Sequence, residues 1–344
     1  MDAQFWLWTV VKIVAICFVF ALVLGALLTW TERKLSAVVQ DRIGPNRASV
    51  LGLRAFGLFH PIADMLKAFT KEDFVPRGAN RVLFFLSPLI AMVPVLAVFA
   101  VIPFGPGPHF VIADLDTGML FIFAIAGLGV YGTTLGGWSS NNSFALLGSL
   151  RAAAQMISYE VSMGLNLVGV FLVFGTVSLS GLVLAQGELL GGWLPKWGIV
   201  VQPVAFILFL TAAMAENKRA PFDLPEGESE ILGYNVEYSS MRFALFFLSE
   251  FVEIVVIAAI AATVFLGGWQ IPFLDPAGTA GGWVTAAQVG AFVAKVVFMC
   301  WVLMIVRWTL PRFRYDQVMA LGWKMLLPLS LANIVVTAAV LAFL

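Results

Sequence analysis

Carboxylates are the side chains in this sequence best suited to chemistry, and they are bunched. Residues 215–230 read AENKRAPFDLPEGESE, placing Glu216, Asp223, Glu226, Glu228 and Glu230 against only Lys218 and Arg219. Pro221 and Pro225 break any helix and Gly227 adds freedom, so the stretch is an irregular loop at a helix end. If EGESE is helical, Glu226 and Glu230 are i,i+4 neighbours; if it is extended, Glu226, Glu228 and Glu230 share one side. Like charges meet either way, and such acids bind protons as a coupled set. The competing reading is a solvated acidic loop balanced by nearby arginines.

More acids lie inside apolar runs. Glu160 sits in QMISYEVSMGL, roughly 13 Å from the inner end of its segment at the helical rise. Glu250 and Glu253 sit in a second run and Lys295 in a third. Ionisable groups at such depth are expensive and usually functional. A Glu253–Lys295 ion pair of matched depth is the structural alternative for those two. Glu160 and Glu250 have no evident in-span partner. With Glu216, Glu226, Glu228, Glu230 and Glu237 they form a train of carboxylates toward the membrane midplane, able to share and pass on protons.

Metal and thiol chemistry are not expected. Cys17 and Cys300 each stand alone in an apolar run, and His60 and His109 are the only histidines. That set is too small for a zinc, haem or iron–sulfur site, and no metal ligand or complete catalytic centre is expected on this chain.

The elements that must hold these acids are membrane helices. The chain has 344 residues, of which 61% are hydrophobic and 12% charged, and its mean hydropathy is +0.96. Soluble domains carry about 25% charged residues, so lipid is the solvent here. About 20 apolar residues make one crossing. The expectation is an all-α integral membrane protein forming one polytopic domain over 1–344. Its eight spans fall near 6–31, 82–103, 117–137, 152–175, 197–215, 243–266, 286–306 and 325–343. The N-terminal MDAQ is acidic and the run from Phe5 to Trp30 is long, which reads as a span rather than a cleaved signal.

Eight spans put all basic residues except Lys12, Lys196 and Lys295 on one side. The positive-inside rule makes that side cytoplasmic and both termini periplasmic. Three long irregular inner loops result: 32–81, 215–242 and 307–324. The first opens TERK and DRIGPNR. It continues LRAFGLFHPIADMLKAFTKED, in which Leu53, Phe56, Phe59, Ala63, Leu66 and Phe69 recur at helical spacing. His60, Asp64, Lys67 and Lys71 mark another face. That is an amphipathic helix, either lying on the membrane surface or walling an opening between lipid and a polar interior. The third loop, RWTLPRFRYDQVMALGWK, reads as positive-inside anchoring or partner docking.

These motifs together (TERK, RIGPNR, PIADMLKAFTKE, LLGSLRAAAQMISYEVS, AENKRAPFDLPEGESEILGYNVEYSSMRFALFFLSE and PRFRYDQVMALGWK) resemble the H subunit of the proton-pumping NADH:quinone oxidoreductases, respiratory complex I. The mitochondrial counterpart is the first mitochondrially encoded membrane subunit. The resemblance runs from about Thr31 to Lys324, and part of it is shared with the membrane anchor of related hydrogenases. It implies a seat between the peripheral and membrane arms. A ubiquinone-type quinone would enter from the bilayer past the first span and the amphipathic helix, among Glu32, Arg33, Arg42, Asp64, Lys67 and Phe243. The proton path would comprise Glu160, Glu216, Asp223, Glu226, Glu228, Glu230, Glu237 and Glu250. Glu253 is not part of the resemblance.

Iron–sulfur clusters and FMN are expected on partner subunits and no cofactor on this chain alone. The implied partners are the peripheral-arm subunits that carry the terminal cluster and the quinone headgroup site. Small membrane subunits leading to antiporter-like subunits, and membrane lipids, complete the set; no nucleic acid is expected. The implied location is a bacterial inner membrane, or alternatively the mitochondrial one. The other functional readings are a hydrogenase anchor and a stand-alone proton-coupled transporter.

Overall fold

The computed structural model describes residues 3–225, 232–274 and 281–343. Among the described residues, seven helices are long and apolar enough to cross a bilayer: α1 (Gln4–Val39), α3 (Arg81–Val101), α4 (Gly118–Ser139), α5 (Ser143–Phe174), α7 (Ser240–Phe265), α8 (Gly282–Thr309) and α9 (Tyr315–Phe343). Shorter helices include α2 (His60–Thr70) and α6 (Pro203–Glu216). The all-α membrane architecture is as the composition implies.

The helix ends differ from the hydropathy reading for identifiable reasons. Helix α5 begins nine residues before the expected position 152, because the Asn142 side chain accepts from Phe144 N at 2.9 Å and caps it. Arg151 therefore lies within the helix, over the Tyr315 ring at 5.4 Å. The expected span at 197–215 is broken. A short turn, Gly198–Val201, is separated from α6 by Gln202, whose φ of −132° and ψ of 60° are not helical. Pro203 is the cause: it has no N–H to donate and it pushes the preceding residue out of the α region. Helix α6 has 14 residues, about 21 Å long against roughly 30 Å of hydrocarbon.

Helix α2 starts later than its apolar periodicity suggests. Leu53 and Phe56 lie in an exposed irregular segment, and the helix begins at His60 with Pro61 in its first turn. Ser240 Oγ donates to Ala68 O at 2.8 Å and Arg242 pairs with Asp73 at 2.9 Å. These contacts fasten the end of α2 to the start of α7.

Helix α7 is the axis of the bundle. Two thirds of its most apolar window (67%) is buried within the protein, against 17% for α9, so α9 lies mainly on the outside of the bundle and α7 mainly within it. Its outer half carries Ala258, Ala259, Ala261 and Ala262, all fully buried, which keep it thin enough to be surrounded. It packs against α1, α2, α3 and α8. Helices α3 and α4 approach closely at Gly132. A Cβ there would lie 2.5 Å from Ala91 N and 2.7 Å from Ala91 Cα, both backbone atoms that cannot swing away. Gly132→Val is therefore expected to force the two helices apart and destabilise the protein by about 1–3 kcal/mol. A fall in thermal midpoint of the detergent-solubilised protein measures it, and an unchanged midpoint would show that the helices separate freely.

Candidate functional site

The sequence 216–223 forms the floor of the site. Glu216 ends α6, and Asn217, Lys218, Arg219 and Asp223 follow in a turn; all five side chains are buried. Gln155 of α5 holds this turn closed by donating to Ala215 O at 2.6 Å and Phe222 O at 2.8 Å. Buried charge of this density requires partners. Arg219 finds three: Glu32 of α1 at 2.6 Å, Glu250 of α7 at 3.6 Å, and the Phe251 ring at 3.9 Å. Glu32 also takes Arg307 of α8 at 2.7 Å, and Glu250 accepts the Tyr234 hydroxyl at 2.8 Å. Two guanidiniums and two carboxylates thus link α1, α7, α8 and the acidic loop.

Beside this cluster is a cavity of about 50 Å³ among α3, α4, α5, α6 and α7, room for a few water molecules. Glu216, Glu253 and Lys218 line it, with Tyr234, Ser249 and Thr133; the remaining wall is mostly apolar. One Glu216 oxygen, Oε2, is buried without a hydrogen-bond partner among the described residues. With the Asn217 amide oriented to satisfy both of its atoms, its nitrogen donates to Glu253 Oε2 and Glu250 O, each at 3.2 Å. Two carboxyls and one ammonium facing one small space can share and redistribute a proton as a coupled unit. Glu160 stands between Met156 and Met163 of the wall, next to Gly127, where a Cβ would come within 3.1 Å of Glu160 Oε1.

One alternative raised by the sequence is corrected here. Lys295 does not pair with Glu253. Its ammonium donates to Leu266 O (2.7 Å), Gly268 O (2.9 Å) and Gln270 O (2.7 Å), carbonyls at and beyond the C-terminal end of α7, and lies over the Trp197 ring at 4.5 Å. The turn after α7 tucks into the protein, so the carbonyl-rich end of the helix dipole meets the cation. Glu250, for which the sequence shows no in-span partner, is met from outside the spans by Tyr234 and Arg219. Glu253 and Lys218 join the site unanticipated; the i,i+3 spacing of Glu250 and Glu253 is the sequence signal that one turn of α7 presents both.

The remaining sites fall in separate places. Arg33, one residue from Glu32, points the other way and pairs with Asp64 of α2 at 2.6 Å, and Lys67 closes on Asp64 at 2.7 Å. Arg42 instead folds back on the end of α1, donating to Gln40 (2.7 Å) and Ser36 (3.1 Å). Phe243 is partly exposed and stacks on Phe247 with centroids 6.1 Å apart. Glu237 accepts from Asn142 at 2.7 Å at the start of α5, away from the cavity wall. Asp223 meets Arg312 at 2.8 Å. Burial pushes the Asp223 carboxyl up from its ordinary range, Arg312 and Arg307 pull against this, and Glu250 adds to the push. Glu226, Glu228 and Glu230 lie outside the described residues.

Burial alone would raise the Asp64 carboxyl, but hydrogen bonds from Lys67 and Arg33, with their charges, together hold it below the usual carboxylate range. A depressed acid contributes stability that is fully present above its unfolded value, about 3.9, and is lost as pH falls through the lower folded value. The α2 tether is therefore expected to loosen at the acid end of that window. Amide exchange across His60–Thr70 measures this. Asp64→Asn should loosen the helix at neutral pH and abolish the acid dependence; an unaltered pH profile in that variant would assign the tether elsewhere.

A family profile described as NADH dehydrogenase matches residues 11–338, nearly the whole chain. The chain belongs to the NADH dehydrogenase family. Within it, the chain is 47% identical over 338 residues to the second of the NADH-quinone oxidoreductase H subunits of Geobacter sulfurreducens, covering 96% of this chain and 95% of that one. It is 45% identical to the NADH-quinone oxidoreductase H subunit of Rhodospirillum rubrum, covering 98% and 97%. It is 43% identical to the first H subunit of Cytophaga hutchinsonii, covering 95% of each. The family match spans α2, the 217–225 turn and every helix that lines the cavity, so the site lies within the part common to these relatives.

Proposed function

We propose that this chain is the H subunit of a proton-pumping NADH:quinone oxidoreductase and joins quinone reduction to a buried carboxylate path. Reducing a quinone to quinol takes up two electrons and two protons. The electrons come from iron–sulfur clusters, and ultimately FMN, on peripheral-arm partners; the protons must be supplied locally. The observation that carries the reading is Arg219, in reach of Glu32 on one side and Glu250 on the other, one turn from the Glu253 that lines the cavity. A change of charge at a quinone beside α1 and α2 acts on Glu32, and Arg219 transmits it to the carboxyls by shifting between two acids. Such coupling is a free-energy linkage between two sites.

On this reading Glu32, Arg33, Arg42, Asp64, Lys67 and Phe243 border the quinone's route from the bilayer, with α2 at the membrane surface. Glu160, Glu216 and Glu250, now with Glu253, form the buried part of the proton path. Asp223, Glu226, Glu228, Glu230 and Glu237 form its cytoplasmic end, and small membrane subunits continue it toward antiporter-like subunits. The broken segment at Gly198–Val201 and α6 serves as the eighth crossing, which sets both termini on the periplasmic side of a bacterial inner membrane.

The test is isolation from native membranes in mild detergent. The expected result is co-migration with flavin- and iron–sulfur-bearing subunits. Migration alone, or as a homo-oligomer, would instead indicate a stand-alone transporter. A nickel–iron partner would indicate a hydrogenase anchor.

A further inference from the structure

Helix α5 carries a second line of polar groups that the carboxylate cavity does not use. Ser158, Ser162 and Asn166 follow at four-residue intervals and so stack on one face, turned away from Met156 and Met163, which line the cavity. This face meets α6 and α9. Gln155 bonded to Ala215 O, and Gly169 lying beside Gln202, set α5 antiparallel to α6. Ser158 bonded to Trp323, and Gly169 lying beside Asn333, set it parallel to α9.

Both ends of the line are satisfied. At the inner end Trp323 Nε1 donates to Ser158 Oγ at 3.2 Å. At the outer end Gln202 donates to Thr337 Oγ1 at 2.8 Å and accepts from Asn333 at 3.0 Å. The middle is not satisfied. Ser162 and Asn166 are both fully buried, and Ser162 Oγ and both polar atoms of the Asn166 amide have no protein partner among the described residues. The neighbouring helix offers little to bond: between Gln202 and Ala215 the buried residues of α6 are Ala205, Leu208, Phe209, Ala212 and Ala213, none with a polar side chain, and Thr211 spends its hydroxyl on Ile207 O. On α9, Ser330 bonds its own Leu326 O. A primary amide has two donors and two acceptor lone pairs, and buried amides are almost always satisfied by protein or ordered water.

We propose that the junction of α5, α6 and α9 binds internal water at Ser162 and Asn166. The water completes a polar seam from the Ser158–Trp323 contact to the Gln202–Asn333–Thr337 cluster. From Ser158 to Gly169 the seam runs about 16 Å along α5. It contains no titratable side chain, so it holds water without holding charge, in parallel with the carboxylate cavity on the other side of the same helix. This reading goes beyond the proposed function and does not depend on it.

The test is a cryo-electron-microscopy map of the intact native complex at a resolution that resolves ordered water, compared with the same complex carrying Asn166→Leu. The expected result is density within about 3.2 Å of the Asn166 amide and of Ser162 Oγ, lost at Asn166 in the variant. The thermal midpoint of the variant complex should fall or stay level, because leucine displaces a bonded water and strands Ser162. A dry contact at both residues, or an Asn166 amide turned onto a backbone carbonyl, overturns the proposal in the native complex alone. A rise in midpoint on Asn166→Leu, the signature of removing an unsatisfied dry amide, overturns it independently. Should Asn166→Leu fail to assemble, Ser162→Ala gives the same comparison with a smaller change of volume, and its loss of density at that position is the expected outcome.

Discussion

Replacing Glu32 by alanine is expected to destabilise the protein by about 3–5 kcal/mol, the range for breaking a buried ion pair by removing one partner. Glu32 is the common acceptor of Arg219 at 2.6 Å and Arg307 at 2.7 Å, and its side chain is only 14% exposed, so little water can replace it. Arg219, at 9% exposure, would keep only the longer contact to Glu250 at 3.6 Å and its stacking on Phe251. The measurement is the thermal midpoint, or the yield of intact complex after detergent extraction. Glu32→Gln should lose less, because its amide oxygen still accepts one guanidinium. Adding Arg219→Ala to Glu32→Ala should restore part of the loss, since the orphaned cation is what makes the single change severe. If Glu32→Ala shifts stability by less than about 1 kcal/mol, the cluster is solvated and the coupling role assigned to it fails.

The second large effect is functional. Glu216→Gln is expected to lower quinone reductase activity and proton translocation together by about 10²-fold, the lower end of what a positioned proton-transfer group contributes. NADH oxidation by a soluble artificial acceptor, which bypasses the membrane arm, should be unchanged. The substitution fits the site: Glu216 Oε2 has no hydrogen bond to lose, so assembly should survive. Glu253→Gln should act in the same direction. The double variant should be little worse than either single one, because groups that work as a unit lose their effect together. Normal quinone reduction and pumping in Glu216→Gln would make the cavity a structural feature.

The helices are legible in the sequence because lipid imposes a length and an apolar composition on each crossing. What hydropathy misplaces is decided by single side chains. Asn142 starts α5 early and carries Arg151 into the helix, and Pro203 splits the segment that hydropathy reads as one span. The charge cluster is half legible. Glu250 is visible as a costly charge within a span, Arg219 as a cation of the acidic stretch and Glu32 through the resemblance, but their pairing depends on bringing together residues 187 positions apart, as for Arg219 and Glu32. Tyr234 satisfies Glu250 from an irregular loop, where no periodicity exists to read. Matching depths gives Lys295 the wrong partner because it assumes helices that end level, whereas the turn after α7 folds back into the protein. Glu253 lies outside the motifs that carry the resemblance, although the turn it shares with Glu250 points both toward the same cluster.

The burial of α7 has a consequence for how the gene can change. Inserting one residue into a helix rotates everything beyond it by about 100°. In α9, with 17% of its apolar window buried, such an insertion exchanges one oily face for another. In α7 the same event ahead of Glu250 would swing both acids away from Arg219 and Asn217 and turn the thin alanine surface out of register with its neighbours. Length variation among descendants of this gene should therefore collect at the rim of the bundle and in the loops, while the axis keeps its residue count.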